Sequence, residues 1–299
     1  MTRRLLSRAP AIARLKESSC GEVDMFGESE HTPEAIAQRR YRVRISQYIS
    51  DGWQIYSANA GGYIGFLLLS AFISGALNNV PGVGPIVNGI ISGLLLAGYY
   101  FVGFQIAHGQ TPQFTSFFDG FKNNNFLPIF LTNLIMGLII NLFVVTASFF
   151  FVVASLPFLQ RILEEANAQA PEPDPDIEQF LRVLEQLPPI PDGLSPIIFL
   201  LGLIILLPGV YFGICYTFAI PLVVEHKFDF WPALETSRRL ISRDWFGFFL
   251  FNLSIVLLNV LGLCLCCVGL LVTAPLSTCA IVAAYRDIIG LNPSDDAMP

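Results

Sequence analysis

Long uncharged tracts alternate with short polar segments along the chain. Aspartate, glutamate, lysine and arginine are absent from residues 52–118, 123–160, 193–224 and 245–285. Because a membrane-spanning helix needs roughly 20 mainly apolar residues, the first and last tracts can each hold two such helices and the middle tracts one each. The pattern therefore predicts six transmembrane helices, at residues 61–79, 86–107, 126–156, 197–223, 246–263 and 265–284.

Composition supports a membrane location. The chain of 299 residues is 54% hydrophobic and only 13% charged, and its mean hydropathy is +0.60. A soluble globule of this composition would be covered in apolar surface, so lipid is the expected solvent. The third predicted span is longer than a bilayer requires, and we expect it to tilt or to protrude from the membrane.

Basic residues set the predicted orientation, because lysine and arginine near a span resist translocation. Residues 158–193, which join the third and fourth spans, carry two basic and eight acidic side chains and account for the net charge of −6. Both termini are therefore predicted to be cytoplasmic, and membrane lipids rather than nucleic acid are the expected partners. The basic residues on the cytoplasmic side are Arg39, Arg40, Arg42, Arg44, Lys122, Lys227, Arg238, Arg239, Arg243 and Arg286.

Similar short sequences recur at the starts of spans. IFLTNLI at residues 129–135 matches FFLFNLSI at residues 248–255, and GFLLLSAFI at residues 65–73 is a weaker relative. An aromatic and polar segment precedes each of them, which is typical of an amphipathic helix on the membrane surface. We therefore predict an all-α integral membrane protein of three hairpins, each preceded by a cytoplasmic interfacial amphipathic helix. The alternative is chance recurrence in an apolar chain. The three units are residues 44–108, 114–224 and 230–285.

The regions outside the spans differ from them in composition. Residues 1–43 are predicted to form a disordered basic arm, residues 44–288 the membrane domain, and residues 289–299 a disordered tail. The opening segment is rich in arginine and nearly free of acids, so an organelle transit peptide and an over-extended start before Met25 are the alternatives. An acidic insert at about residues 158–194 is predicted to form a short outer helical cap.

Three cysteines, Cys264, Cys266 and Cys267, fall in the predicted outer turn of the last hairpin. A structural zinc site needs four ligands, and no histidine or acid lies near this turn in the sequence. Neighbouring cysteines are also poorly placed for an unstrained disulfide. We therefore interpret them as small apolar residues where two helices approach closely, and we predict no metal and no cofactor.

The predicted spans contain no ionisable side chain, which argues against a proton-coupled pump or an ion-exchanging transporter. Four asparagines remain inside them, and their spacing places each pair on one helix face. Amides in this position bond neighbouring helices together or line a path for a neutral solute. These polar intramembrane candidates are Asn133, Asn141, Asn252 and Asn259.

Enzymatic chemistry finds little support in the sequence. No nucleophile motif, HExxH spacing or phosphate-binding glycine loop is present, so the chain is not expected to be an enzyme. Catalysis would need a cytoplasmic cleft that unites His108, His226 and Asp119. The stronger candidates are three arginines before the fifth span, which are suited to lipid headgroups or to fixing the topology alone. They are Arg238, Arg239 and Arg243.

Four segments carry a resemblance to a known group of proteins: SDGWQIYSANAGGYIGF, FFDGFKNNNFLPIF, ALETSRRLISRDWFGFFLFNLSIVLLN and APLSTCAIVAAYRDI. The chain resembles uncharacterised bacterial multi-spanning proteins that carry a domain of unknown function. These are similar to the membrane domain fused to some glycerophosphoryl diester phosphodiesterases. The resemblance covers roughly residues 47–288 and implies a six-helix module concerned with envelope or lipid processes. No phosphodiesterase domain is present, so that activity does not carry over.

We therefore expect a non-enzymatic assembly or lipid-interacting module with several passes through the plasma (inner) membrane. An internal membrane is the alternative location. A channel or carrier for an uncharged or amphiphilic solute is the competing function. Besides lipids, a membrane-protein partner or a second copy of the chain is an expected partner.

Overall fold

The structure is a computed structural model, and it describes residues 32–169, 179, 191, 193–265 and 268–292. Every regular element in these ranges is helical. Two short 3-10 helices, Phe114–Phe121 and Ser242–Asp244, accompany ten α-helices. The α-helices are α1 Pro33–Ala37, α2 Ile45–Ala58, α3 Ala60–Asn78, α4 Gly84–Ala107, α5 Asn123–Gln169, α6 Ser195–Cys215, α7 Ala219–Glu225, α8 Phe230–Ile241, α9 Trp245–Cys264 and α10 Leu270–Ile288.

Within the described residues, six helical segments are long and apolar enough to cross a membrane, which confirms the predicted number. They correspond to α3, most of α4, most of α5, the pair α6 and α7, the continuous run from α8 to α9, and α10. In four of them at most 17% of the apolar window is buried inside the protein, and many of its large apolar side chains are exposed. Since an exposed apolar stretch of this length is unstable in water, hydrocarbon is the solvent that fits these helices.

Helix α5 is the longest element, at 47 residues. At 1.5 Å per residue it extends for about 70 Å, more than twice the thickness of the hydrocarbon core of a bilayer. Its apolar sequence ends near residue 160, and Arg161, Glu164 and Glu165 follow in the same helix. The helix is thus longer than the predicted span 126–156 at both ends, and part of it must lie outside hydrocarbon.

The predicted span 197–223 is interrupted at residues 216–218, where α6 ends and α7 begins. Pro221 explains the interruption, because a proline ring clashes with the carbonyl group four residues earlier, here that of Thr217. Ser237 of α8 satisfies two of the backbone groups that are freed. Its hydroxyl donates to the Cys215 carbonyl at 2.7 Å and accepts from the Phe218 N–H at 3.2 Å.

The last span begins later than predicted, at Leu270 instead of residue 265. Helix α9 ends at Cys264, so a turn separates the two helices. The helices approach so closely beside this turn that a Cβ atom at Gly269 would overlap the carbonyl group of Gly262. The predicted span 265–284 therefore included residues of this turn. Cys266 and Cys267 lie outside the described residues, and Cys264 is exposed.

The chain divides into two compact units, residues 1–134 with 214–299 and residues 135–213. In the first unit, aromatic rings form the centre of the core. The rings of Phe66 and Phe117 stack with centroids 4.5 Å apart, and Phe218 meets Tyr285 edge to face at 5.4 Å. In the second unit, Gly202 leaves room for Phe151 and Gly209 for Phe143, which lets two long helices pack closely.

The three segments predicted as interfacial helices are all helical, but they differ in form. The first is α2, which buries Tyr48, Gly52, Ile55 and Tyr56. The second is the 3-10 helix Phe114–Phe121, which packs against α4, and the third is α8, which packs against α1 and α7. Their location at a membrane surface stays a prediction.

Several predictions fall outside the described residues. These are most of the basic arm, most of the acidic insert, and the tail after Asn292. The predicted domain limits at residues 43 and 288 stay predictions as well.

Candidate functional site

Two of the three candidate arginines line a common cavity. Helix α1 packs on α8, and the space between α1 and the end of α8 measures about 610 Å³. Its basic side chains are Arg239 and Arg243, and Glu34, Ala37, Gln38 and Ser242 complete the lining. Arg243 Nη1 donates to the Gln38 carbonyl at 3.5 Å, which holds this arginine against the end of α1.

Glu235 positions the arginines on α8. Arg238 donates to both of its carboxylate oxygens, through Nε at 2.9 Å and Nη2 at 2.7 Å, and Arg239 Nε donates at 2.6 Å. The side chain of Arg239 is nevertheless 60% exposed, so it remains accessible to a ligand. Arg238 is held by a two-point contact and is not among the described residues that line the cavity. The three candidates therefore separate into a pair that lines the cavity and one neighbour.

A smaller and more apolar cavity adjoins the first. It measures about 160 Å³ and is lined by Pro33, Trp231 and Pro232 among others. Glu34, Ala37 and Arg239 line both cavities, so the two meet at these residues. Trp231 is 61% exposed beside this junction. A basic space next to an apolar space complements an amphiphile that has an anionic head.

The four asparagines are hydrogen-bonded within or between helices. Asn133 Nδ2 donates to the Gly89 carbonyl of α4 at 3.2 Å. Asn259 Nδ2 donates to Ser277 Oγ of α10 at 2.8 Å, and Asn252 Nδ2 donates to Thr217 Oγ1 at 3.4 Å. Asn141 donates to the Gly137 carbonyl of its own helix at 2.8 Å. These bonds favour the role of holding helices together over that of lining a path.

The histidines and the acid proposed for catalysis lie in different surroundings. His108 Nε2 is 2.7 Å from Glu225 Oε1, beside a cavity of about 290 Å³. His226 Nδ1 is instead 2.6 Å from the buried Tyr285 hydroxyl, and Asp119 pairs with Lys122 at 2.8 Å. Of the three, only His108 is among the described residues that line this cavity.

The described residues contain no group of three or more histidine, cysteine, aspartate or glutamate side chains placed to hold a metal ion.

A family model described as a protein of unknown function, DUF975, matches residues 56–292. The chain belongs to the DUF975 family. The match includes all six membrane-length helices and every candidate arginine and asparagine of this DUF975 protein. No curated protein matches the chain, and no solved structure does. The family description assigns no activity, so function has to be argued from the geometry.

Sequence reasoning missed some residues that this DUF975 chain brings together. Lys227, Gln105 and Asn292 line the cavity beside His108, although the sequence did not indicate any of them as a candidate site residue. A usable signal was present, because His108 follows one predicted span and Glu225 follows another on the same predicted side. Residues at equal membrane depth can meet if their helices are neighbours. The sequence gives no means of deciding that α4 and α7 are neighbours.

Proposed function

We propose that this DUF975 protein is a non-enzymatic, six-span membrane module that binds anionic lipid headgroups at its cytoplasmic face. The observation that carries the proposal is the pair Arg239 and Arg243, which line one open cavity of about 610 Å³ directly before helix α9. Basic residues near an anionic membrane surface each contribute roughly 1 kcal/mol to its binding.

The position of the arginines along the chain supports headgroup depth. The 3-10 helix Ser242–Asp244 joins α8 to α9 with no residue between them, so Arg243 lies two residues before a membrane-length helix. Trp245 begins that helix, and the next residue, Phe246, is exposed. Tryptophan is enriched at membrane interfaces, where its ring is apolar and its N–H is polar. The arginines are therefore expected at the level of lipid phosphates.

The adjoining cavity supports an amphiphile rather than a small inorganic anion. Its apolar walls at Pro33, Trp231 and Pro232 would contact the uncharged part of a lipid whose phosphate binds Arg239 and Arg243. A guanidinium group suits this role because its fixed N–H groups match phosphate oxygens in pairs. One ligand can thus occupy both spaces.

The proposal extends to orientation and location. We place both termini in the cytoplasm and the spans in the plasma membrane as three hairpins, each following a surface segment. The excess of basic residues on the predicted inner side supports this orientation. From the resemblance of the sequence to membrane domains of certain phosphodiesterases, we further propose that the protein takes part in envelope or lipid processes.

Binding of a short-chain anionic lipid tests the proposal. We would titrate the purified chain in uncharged detergent with dihexanoyl phosphatidylglycerol. The double variant Arg239→Gln/Arg243→Gln should bind about 30-fold more weakly, which corresponds to roughly 2 kcal/mol. The control Arg40→Gln/Arg42→Gln removes the same charge from the same predicted face. Both residues are exposed, and neither is among the described residues that line the cavity. Equal affinities of the two double variants would refute the headgroup site.

A further inference from the structure

The cavity beside His108 carries groups of both charges and has no role in the headgroup site. It measures about 290 Å³, and its lining includes Phe101, Phe104, Gln105, His108, Glu225 and Lys227. We propose that this cavity binds a zwitterion that has a primary ammonium group and one anionic group. The proposal uses none of the residues of the arginine cavity, so each can fail without the other.

Glu225 supplies the partner for the ammonium group. Its side chain is only 7% exposed, and its Oε1 atom accepts from His108 Nε2 at 2.7 Å and from the Asn292 backbone N–H at 2.9 Å. A carboxylate can accept about four hydrogen bonds, so these two leave capacity for a ligand. The neighbours fix the carboxylate in place before a ligand arrives, which lowers the entropic cost of binding.

Lys227 supplies the partner for the anionic group. Its ammonium lies 5.0 Å from the centroid of the Phe101 ring, which holds it at the cavity by a cation–π contact. Within the part of the chain that the structure describes, no carboxylate oxygen lies within 4.0 Å of this ammonium. Partial burial lowers the pKa of Lys227, while the carboxylates of Glu225 and Asp119 oppose that shift. The Lys227 ammonium therefore has room for an anionic partner.

The backbone of Lys227 is in the left-handed region, with φ of +56°. This conformation is unfavourable for a residue with a long side chain and persists only where the surroundings enforce it. Lys227 directly follows the C-terminal cap of α7, a position at which helices commonly end in this conformation. Its ammonium lies 5.0 Å from the Phe101 ring centroid, and both side chains line the cavity.

Size and polarity narrow the ligand further. The cavity is at the lower limit of ligand sites, so it accepts a headgroup or a small molecule but not a whole lipid. Phe101, Phe104 and Val224 are buried and form apolar walls, and the amides of Gln105 and Asn292 add polar contacts. A ligand with only one charge would pair with only one of the two residues, Glu225 or Lys227. A zwitterion matches both groups.

The place of the cavity in the fold identifies two sources for such a ligand. His108 is the C-terminal cap of α4, and Glu225 is the last residue of α7, so the cavity lies where two helices of the membrane-length segments end. One source is therefore a phospholipid with an ethanolamine headgroup, and the other is a free amino acid. Both present an ammonium and an anionic group on a short chain.

Matched probes and variants test the charge requirement. We would titrate the delipidated full chain in uncharged detergent with dihexanoyl phosphatidylethanolamine, dihexanoyl phosphatidylglycerol and leucine. Lys227→Asn removes the ammonium and keeps a residue that tolerates the left-handed backbone. Glu225→Gln removes the negative charge and keeps an acceptor for His108 and Asn292. Lys122→Asn is the control, since Lys122 is an exposed lysine outside the lining described for this cavity.

We expect Lys227→Asn to weaken binding of the ethanolamine lipid at least tenfold relative to Lys122→Asn. Glu225→Gln should weaken the ethanolamine lipid by a similar factor but leave the glycerol lipid unchanged, because only the first carries an ammonium group. Saturable leucine binding that Lys227→Asn abolishes would assign the site to a free zwitterion, and binding of the lipid alone would assign it to a headgroup. Either result supports the proposal. Equal affinities of Lys227→Asn and Lys122→Asn for both the ethanolamine lipid and leucine would overturn it, as would an equal loss of affinity for both lipids in Glu225→Gln.

Discussion

Tyr48 connects α2 to the end of α10 through a single hydroxyl group. The residue is fully buried, and its hydroxyl donates to Asp287 Oδ2 at 3.0 Å. Asp287 also pairs with Arg44, so the tyrosine completes a charged cluster between the two helices. Burial, followed by the hydrogen bond to Asp287, raises the pKa of Tyr48 to about 12. The sequence suggested an apolar helical face here, but Asp287 was not predictable as a partner because the two residues are 239 positions apart.

Replacement of Tyr48 by phenylalanine is predicted to destabilise the fold by about 1 to 2 kcal/mol at neutral pH. The sign of the pH dependence follows from the raised pKa. The neutral hydroxyl is favoured in the folded state, so its contribution is complete below pH 10 and is lost as the pH rises through about 12.

Thermal unfolding in detergent from pH 7 to 12 measures the difference in stability between wild type and Tyr48→Phe. Other tyrosines are present in both proteins, so their titration cancels. A difference in stability that stayed constant above pH 10 would contradict the role given to Tyr48.

At the scale of elements, close packing of α2 on α10 fixes the place of the first surface segment. Gly52 faces the α10 backbone, and a Cβ atom there would lie 2.7 Å from both the N and the Cα of Ala280. Backbone atoms within a helix cannot move aside cheaply. Protein contacts therefore cover part of the apolar face of α2, for which the sequence pattern predicted a place on the membrane surface.

Gly52→Ala is predicted to lower the free energy of unfolding by about 1 to 3 kcal/mol, despite the better helix propensity of alanine. Gly61→Ala in α3 is the matched control, because its added Cβ would meet nothing within 4 Å. That variant should be neutral or slightly stabilising. Unfolding in detergent compares the two, and a similar shift in both variants would show that the contact with Ala280 does not limit the packing.

Element boundaries show which parts of the fold the sequence could predict. The spans were predictable because the length of an uncharged tract is a local property of the sequence, and their number is confirmed. The interruption before Pro221 has a local cause as well, yet its stabilisation depends on Ser237 from a separate helix. The pairing of Arg239 with Arg243 in one cavity likewise depends on α1, whose docking on α8 leaves no pattern in the sequence. Contacts between distant segments are what the sequence alone did not provide.

For the whole molecule, the proposed function requires that six helices cross a membrane with their basic flanks on one side. Helix α5 offers the most direct test, because exposed residues mark both of its ends. Lys122 immediately precedes it, and Glu165 lies in its last two turns. Its apolar length between these positions is sufficient to cross a bilayer.

The decisive measurement is labelling of Lys122→Cys and Glu165→Cys, each in a variant without the six native cysteines, by a membrane-impermeant maleimide. Sealed vesicles of known orientation are used. We predict that Lys122→Cys is labelled only from the cytoplasmic side and Glu165→Cys only from the opposite side. Labelling of both positions from the same side would mean that α5 does not cross the membrane, and it would contradict the account.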